Sequence, residues 1–205
     1  MEFAGTDLRQ ACESPARQMM RAKPEATVED LARVPEHGKA ELVHGELRLM
    51  SPTGGLPGYA AFQIAMSLDK YARRTRRGVA LPDNVGYLVK LPHRKSFSPD
   101  AAYYTGELRM KFLEGAPVFA VEVRSEEDYG PAAEREMAEK RADYFAAGTL
   151  VVWDVDLQSE EVVRVYRAGN SDQPTKYRRG DVAEAEPAVP GWTMAVEDLF
   201  PPNVQ

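Results

Sequence analysis

Two carboxylates stand in segments whose composition predicts buried strands. Asp100 follows Pro99 in "SFSPDAAYY", and Glu122 lies inside the apolar run "VFAVEVRS". A buried carboxylate is unfavourable unless it is paired, hydrogen-bonded or bound to a metal ion. If the two strands pair, both acids reach one end of the sheet. Two such oxygen ligands suit Mg²⁺ (or Mn²⁺), which can clamp a phosphate and activate a water molecule.

Hydrolysis of a phosphate ester also requires a cation near the attacking water. Arg124 follows Glu122 by two residues and therefore shares its strand face. Lys140 lies in the segment predicted to form the next helix, on one helical face with Glu136 and Tyr144. Spacing alone favours Arg124 for this role, and Lys140 by itself is an ordinary solvated helix charge.

The elements that position these residues form a mixed α/β pattern. A capped helix at Thr27, a hairpin turning at His44-Gly45 and a helix over 59–77 precede several strands. Strand, helix and strand over 117–156 predict one parallel crossover, and the other strands are expected to be antiparallel. We expect residues 1–26 to form an N-terminal extension with a short helix, and residues 27–205 to form one domain.

Composition narrows the function classes. The chain has 205 residues, one cysteine (Cys12) and a formal net charge of −6. These numbers exclude an intrachain disulfide and argue against a protein that coats nucleic acid without regard to sequence. Neither an apolar run long enough for a membrane helix nor a signal-peptide pattern is present, so a cytoplasmic protein without membrane contact is expected.

Four motifs in order resemble a known family. "PD" followed by "ExR" resembles the PD-(D/E)XK nuclease signature, with Arg124 in the place of its lysine. More specifically, "ELVHGELRLMSPTGG", "SPDAAYY", "VEVRSEEDYG" and "EKRADYFAAGTLVVWDVD" resemble the Uma-two family of restriction-endonuclease-like proteins. The resemblance covers about residues 27–200. One departure is the loop at Leu56-Pro57-Gly58, where that family often has a histidine.

The resemblance implies a restriction endonuclease-like mixed β-sheet flanked by helices, the PD-(D/E)XK core. It implies a Mg²⁺-dependent endonuclease that hydrolyses DNA phosphodiester bonds, acting as a homodimer. It transfers the catalytic lysine to the helix and hence to Lys140, where burial and the metal would lower the lysine pKa enough for proton transfer. The expected site residues are catalytic Glu41, Asp100, Glu122 and Lys140, metal-binding Asp100, Glu122 and the Val123 carbonyl, and substrate-binding Arg124, Arg73 and Arg74.

Structural roles compete with each of these assignments. Asp100 could cap a turn, Glu41 could pair with Lys39 or Arg48, and Arg124 could pair with Glu122. Two other functions are compatible with the same residues. One is a catalytically silent module that binds nucleic acid or protein, and the other is a metal-dependent hydrolase of another phosphoester.

Overall fold

The computed structural model describes residues 25–34 and 38–202. The extension predicted over residues 1–26 lies outside these residues except for its last two positions. A six-stranded mixed sheet forms the centre of the fold, in the order β11-β10-β9-β8-β6-β3. Its strands are β3 (Val79–Pro82), β6 (Ala101–Tyr104), β8 (Phe119–Val123), β9 (Val151–Val155), β10 (Val163–Arg167) and β11 (Asn170–Tyr177).

Three smaller β units surround the central sheet. One is the hairpin β1–β2, the second joins β12 and β13, and the third has the order β5-β4-β7. Their strands are β1 (Lys39–Val43), β2 (Glu46–Met50), β4 (Tyr87–Leu88), β5 (Ser96–Phe97), β7 (Leu113–Glu114), β12 (Val182–Glu184) and β13 (Thr193–Ala195). The helices are α1 (Val28–Leu31), α2 (Gly55–Thr75), α3 (Pro131–Ala146) and a 3-10 helix at Val196–Leu199.

Local sequence signals explain several boundaries. Thr27 and Asp30 form the predicted capping box at the start of α1. His44 and Gly45 both have positive φ, 52° and 71°, which is the geometry of the two-residue turn that joins β1 to β2. Pro131 occupies the first turn of α3, where its missing N–H leaves no hydrogen bond unmade. These short-range signals therefore place the elements much as predicted.

The parallel crossover is also confirmed. β8 pairs in parallel with β9, while β6 pairs antiparallel with β8. β8 thus lies between two strands, and all its residues are buried except the half-buried Glu122, in line with its nearly continuous apolar sequence. A second parallel pair, β4 with β7, was not expected from the sequence.

Proline affects two of the strands. The segment "SFSPDAAYY", predicted to be a buried strand, is divided into β5 and β6, which belong to different sheets. Pro99 lies in the break, and proline has no N–H for a strand ladder. β11 begins at Asn170 and contains Pro174. Because β11 is at the edge of the sheet, the missing N–H of Pro174 is tolerated there.

The core occupies both faces of the central sheet. On one face, α2 packs with Phe119, Trp153 and Trp192, and both tryptophans are buried. On the other face, Tyr144 of α3 stacks on Phe97 with ring centroids 4.0 Å apart. α3 is thereby fixed over the strand that carries Glu122. In the described residues, no helix is both long and apolar enough to cross a membrane.

Candidate active site

Asp100 lies just before β6, beside the end of β8. Its backbone N–H donates to the Val121 carbonyl at 3.0 Å, and its Oδ2 accepts a hydrogen bond from the Val123 N–H at 2.8 Å. These two contacts extend the hydrogen bonding between β6 and β8 beyond the Ala101–Val121 pair. As predicted, the two acid-bearing strands are neighbours, and the backbone beside Glu122 holds the Asp100 carboxylate.

Glu122 faces α3 and receives two hydrogen bonds from it. Lys140 Nζ donates to Glu122 Oε2 at 2.9 Å, and the Tyr144 hydroxyl donates to Oε1 at 2.6 Å. Lys140 and Tyr144 are four residues apart and therefore share one helical face. The structure thus brings Lys140 to Glu122, within the distance at which opposite charges couple strongly.

Burial and neighbouring acids change the protonation of this pair. Burial raises the pKa of Glu122 to about 7, and the Asp100 and Glu41 carboxylates act in the same direction against the opposing effect of Lys140. Burial alone lowers the pKa of Lys140, but Glu122 and Glu41 outweigh it and raise that pKa above the ordinary lysine value. The neighbouring acids thus raise the Lys140 pKa, and the lowering expected from burial together with the metal stays a prediction. In this arrangement Lys140 is an ammonium ion that donates hydrogen bonds.

Glu41 connects Lys140 to a second buried cation. Glu41 Oε1 lies 3.0 Å from Lys140 Nζ and accepts the Ser98 N–H at 3.0 Å. Glu41 Oε2 accepts a 2.5 Å hydrogen bond from Arg94, whose Nε donates to Asp143 at 2.7 Å. Burial raises the pKa of Glu41, but Lys140 and Arg94 outweigh that effect and lower it. Glu41 is thus an ionised carboxylate that orients Lys140, and the alternative pairing with Lys39 or Arg48 is not observed.

Sequence reasoning missed Lys39 as a site residue. Its Nζ lies 2.6 Å from Asp100 Oδ1 and 2.7 Å from Asp83 Oδ1. One signal was available, because Lys39 precedes Glu41 by two residues and side chains at that spacing share a strand face. Arg94 gave no such signal, since only folding brings it beside Glu41 from a position 53 residues away.

Arg124 is held by acids other than Glu122. Its Nε and Nη2 donate to the two carboxylate oxygens of Asp154, each at 2.8 Å, and it also pairs with Glu134. The hydrogen bond to Asp154 is the largest cause of the raised Arg124 pKa. The Arg124 side chain is only 2% exposed. Arg124 lines the cleft described below, but its guanidinium is committed to structural contacts.

Arg73 and Arg74 lie elsewhere. Both occupy the last turn of α2, where Arg73 pairs with Asp69 at 2.6 Å and Arg74 lies over the Tyr71 ring. Neither arginine is among the described residues that line the cleft around Asp100 and Glu122. The structure therefore does not bring these two predicted substrate-binding residues to the candidate site.

One cleft, with a volume of about 830 Å³, is lined by Asp100, Glu122 and Val123. Lys39, Glu41 and Lys140 also line this cleft, together with the loops that follow β2 and β8. A smaller cavity of about 510 Å³ lies between α2 and the C-terminal segment, away from these acids. The larger cleft is the one in which a substrate could reach the paired acids.

The donor set in this cleft fits a hard divalent cation. Among the described residues, no three His, Cys, Asp or Glu side chains are grouped to hold a metal ion. A metal here would therefore depend on two carboxylates, a backbone carbonyl and water, which are the oxygen ligands that Mg²⁺ prefers. The charges of the surrounding side chains also favour a divalent cation in this cleft.

The network around the cleft contains more acids than bases. Five carboxylates contact two lysines and one arginine, which leaves an excess of negative charge when all these groups are ionised. The acids are Glu41, Asp83, Asp100, Glu122 and Asp143, and the bases are Lys39, Arg94 and Lys140. A divalent cation between Asp100 and Glu122 would offset this excess.

The sheet, the crossover helix and the paired acids define a restriction endonuclease-like α/β fold. The model of the Uma2 family, described as "Putative restriction endonuclease", matches residues 27–197. The chain therefore belongs to the Uma2 family, as its motifs predicted.

A solved structure has the same fold. The chain is similar to a "putative nuclease belonging to DUF820" from Anabaena variabilis ATCC 29413, with a TM-score of 0.68 and 17% sequence identity. The similarity covers 85% of this chain and 97% of that chain. No curated protein matches the sequence.

The Arg124–Asp154 contact makes a testable prediction about stability. Arg124→Ala leaves the Asp154 carboxylate buried with Arg141, 3.4 Å away, as its remaining basic neighbour. We expect the free energy of unfolding to fall by roughly 3–5 kcal/mol, the usual effect of removing one partner of a buried ion pair. Urea unfolding followed by circular dichroism measures this change.

Arg73→Ala is the matched control, because it removes an arginine from an exposed pair on α2 and should leave stability unchanged. A loss of less than about 1 kcal/mol in Arg124→Ala would show that Arg141 or water replaces the missing guanidinium.

Proposed function

We propose that this protein is a Mg²⁺-dependent endonuclease that hydrolyses DNA phosphodiester bonds. The observation that carries the proposal is the placement of Asp100 and Glu122 on neighbouring strands, with the Lys140 ammonium 2.9 Å from Glu122. Membership in a family described as "Putative restriction endonuclease" supports the class of reaction. The cleft provides room for a nucleic-acid strand to approach these residues.

Asp100, Glu122 and the Val123 carbonyl would hold the metal. When bound, the metal lowers the pKa of a coordinated water and neutralises charge that develops on the phosphate. Asp100 is fixed in place by the Val123 N–H, so it requires little reorganisation to accept an ion. Glu122 is half-buried, and the Asp100 and Glu41 carboxylates raise its pKa, so a nearby cation favours its ionised form.

Lys140 would act as a charged hydrogen-bond donor. An ammonium group has three N–H donors. Its contacts to Glu122 and Glu41 use two of them, which leaves one for the attacking water or a phosphate oxygen. Glu41, itself held by Arg94 and the Ser98 N–H, sets the direction of this ammonium. Lys140 would therefore orient the nucleophilic water and stabilise negative charge, and a solvent water would accept the proton that the nucleophile loses.

The metal site is tested by replacing its first proposed ligand. Asp100→Asn removes one charge from the site, so we expect Mn²⁺ binding to be lost in isothermal titration calorimetry. Asp172→Asn changes an exposed aspartate on β11 and is the matched control, with affinity expected to equal that of the wild type. Unchanged affinity in Asp100→Asn would remove Asp100 from the site.

The role of Lys140 is tested by cleavage assays. Lys140→Ala should lower the rate of Mg²⁺-dependent cleavage of plasmid DNA by about 10²–10³, the range measured when one charge-stabilising donor is removed. Thermal unfolding of the same variant separates this effect from loss of folding. Full metal-dependent cleavage by Lys140→Ala would leave the site without this catalytic cation.

The same assays distinguish the competing functions. Metal binding without cleavage of DNA, RNA or small phosphodiesters by the wild type would indicate a silent binding module. Cleavage confined to RNA or to a small phosphoester would keep the site and change the substrate class. EDTA should abolish any cleavage that is observed, because the proposed reaction requires a divalent metal ion.

We also propose that the protein functions as a homodimer. Two sites related by a two-fold axis match the two strands of a DNA duplex, and two-fold dimers are the commonest assembly. α2 exposes apolar side chains, with Phe62 55% and Met66 41% exposed, which provide contact surface. Light scattering at micromolar concentration should give twice the chain mass of 22.8 kDa. A mass equal to that of one chain would contradict the dimer.

A further inference from the structure

Lys39 joins two acids that lie side by side on paired strands. The last pair of β3 and β6 is Pro82 with Ala101, so the next residues, Asp83 and Asp100, are neighbours across the ladder. Like charges at such positions repel each other. Lys39 Nζ lies between the two acids, 2.7 Å from Asp83 Oδ1 and 2.6 Å from Asp100 Oδ1.

Lys39 and the Val123 N–H contact different oxygens of the Asp100 carboxylate. The Val123 N–H donates to Oδ2, and Lys39 Nζ lies 2.6 Å from Oδ1. An ammonium and a divalent ion on the same carboxylate repel each other strongly at such short range. Metal binding at Asp100 therefore favours movement of the Lys39 ammonium away from this oxygen.

Asp83 gives the displaced ammonium a partner. The Asp83 side chain is 38% exposed, whereas those of Lys39 and Asp100 are each 12% exposed. Asp83 is not among the described residues that line the cleft, so it can hold Lys39 without entering the proposed metal site. The structure already contains this contact, and only the bond to Asp100 has to be given up.

We infer that Lys39 is a built-in counter-cation that competes with the divalent ion for Asp100 and stays on Asp83 when the ion binds. This inference rests on the proposed metal site. It assigns Lys39 and Asp83 a part in setting metal affinity, although neither is a metal ligand. Glu122 and Lys140 are also charged neighbours of Lys39, so the exchange of cations takes place within the same network.

The inference makes opposite predictions for the two residues. Lys39→Met removes the competing charge, so Mn²⁺ should bind about tenfold more tightly. Asp83→Asn removes the alternative partner, so Lys39 holds Asp100 more firmly and Mn²⁺ should bind about tenfold more weakly. The tenfold loss is at the lower end of the usual effect of changing residues adjacent to metal ligands. The gain is expected to be of similar size, because it removes the same competition. In the double variant, Asp83→Asn should not change Mn²⁺ affinity further, because Asp83 acts only through Lys39, which is absent.

Isothermal titration of the full-length chain with Mn²⁺ measures all four affinities without relying on activity. Lys39→Gln keeps a hydrogen-bond donor without the charge and repeats the test if Lys39→Met unfolds. Lys176→Met is the matched control, because Lys176 pairs with Glu161 at 2.8 Å and does not line the cleft. Near-ultraviolet circular dichroism checks that each variant is folded.

The outcomes separate this inference from the proposed function. Weaker or unchanged Mn²⁺ binding in both Lys39 variants would overturn the competition while leaving the metal site intact. An Asp83→Asn effect that persists in the Lys39→Met background would overturn it too, since Asp83 would then act on the metal directly. Binding by Lys39→Met but not by the wild type would support it strongly. Absence of Mn²⁺ binding in every variant would overturn both proposals.

Discussion

The balance between buried carboxylates and cations is the constraint on which the rest of this site depends. Asp100 and Glu122 are carried to one end of the sheet by neighbouring strands. Removed from water, each needs a partner, because an isolated buried charge is strongly unfavourable. The surrounding elements supply these partners: β1 brings Lys39 and Glu41, the loop before β5 brings Arg94, and α3 brings Lys140.

The arginines and the lysines have different roles in this network. Arg124 and Arg94 each bind two carboxylates through several nitrogens, which suits the planar, permanently charged guanidinium. They hold β8, β9, α3 and the β1 hairpin in fixed relation. Lys140 and Lys39 contact the two proposed metal ligands through single ammonium groups, which change partners more readily. The arrangement therefore separates cations that stabilise the fold from cations that can respond to a metal or phosphate.

The route from α3 to the surface shows how far this network extends. Glu122 contacts Lys140, Lys140 contacts Glu41, and Glu41 contacts Arg94. Arg94 in turn shares Asp143 with His93, which is partly exposed. Lys140 is thus held by a chain of direct contacts, so its position depends on residues from three separate segments. Precise placement of this kind is what charge stabilisation in a site requires.

The sequence by itself determined the class of fold, the parallel crossover and the identity of both acids. These features follow from local signals: apolar strands, a capped helix start, a turn with two left-handed residues, and acids that interrupt apolar runs. Lys140 was identified through the family resemblance.

The tertiary structure decided which charged side chains contact each other. Spacing along β8 favoured Arg124 as the partner of Glu122, but folding delivers Arg124 to Asp154 and Lys140 to Glu122. Folding also brings Lys39 to Asp100, and it places Glu122 and Glu41 where they raise the Lys140 pKa. Both outcomes depend on carboxylates that are distant in sequence and adjacent only after folding.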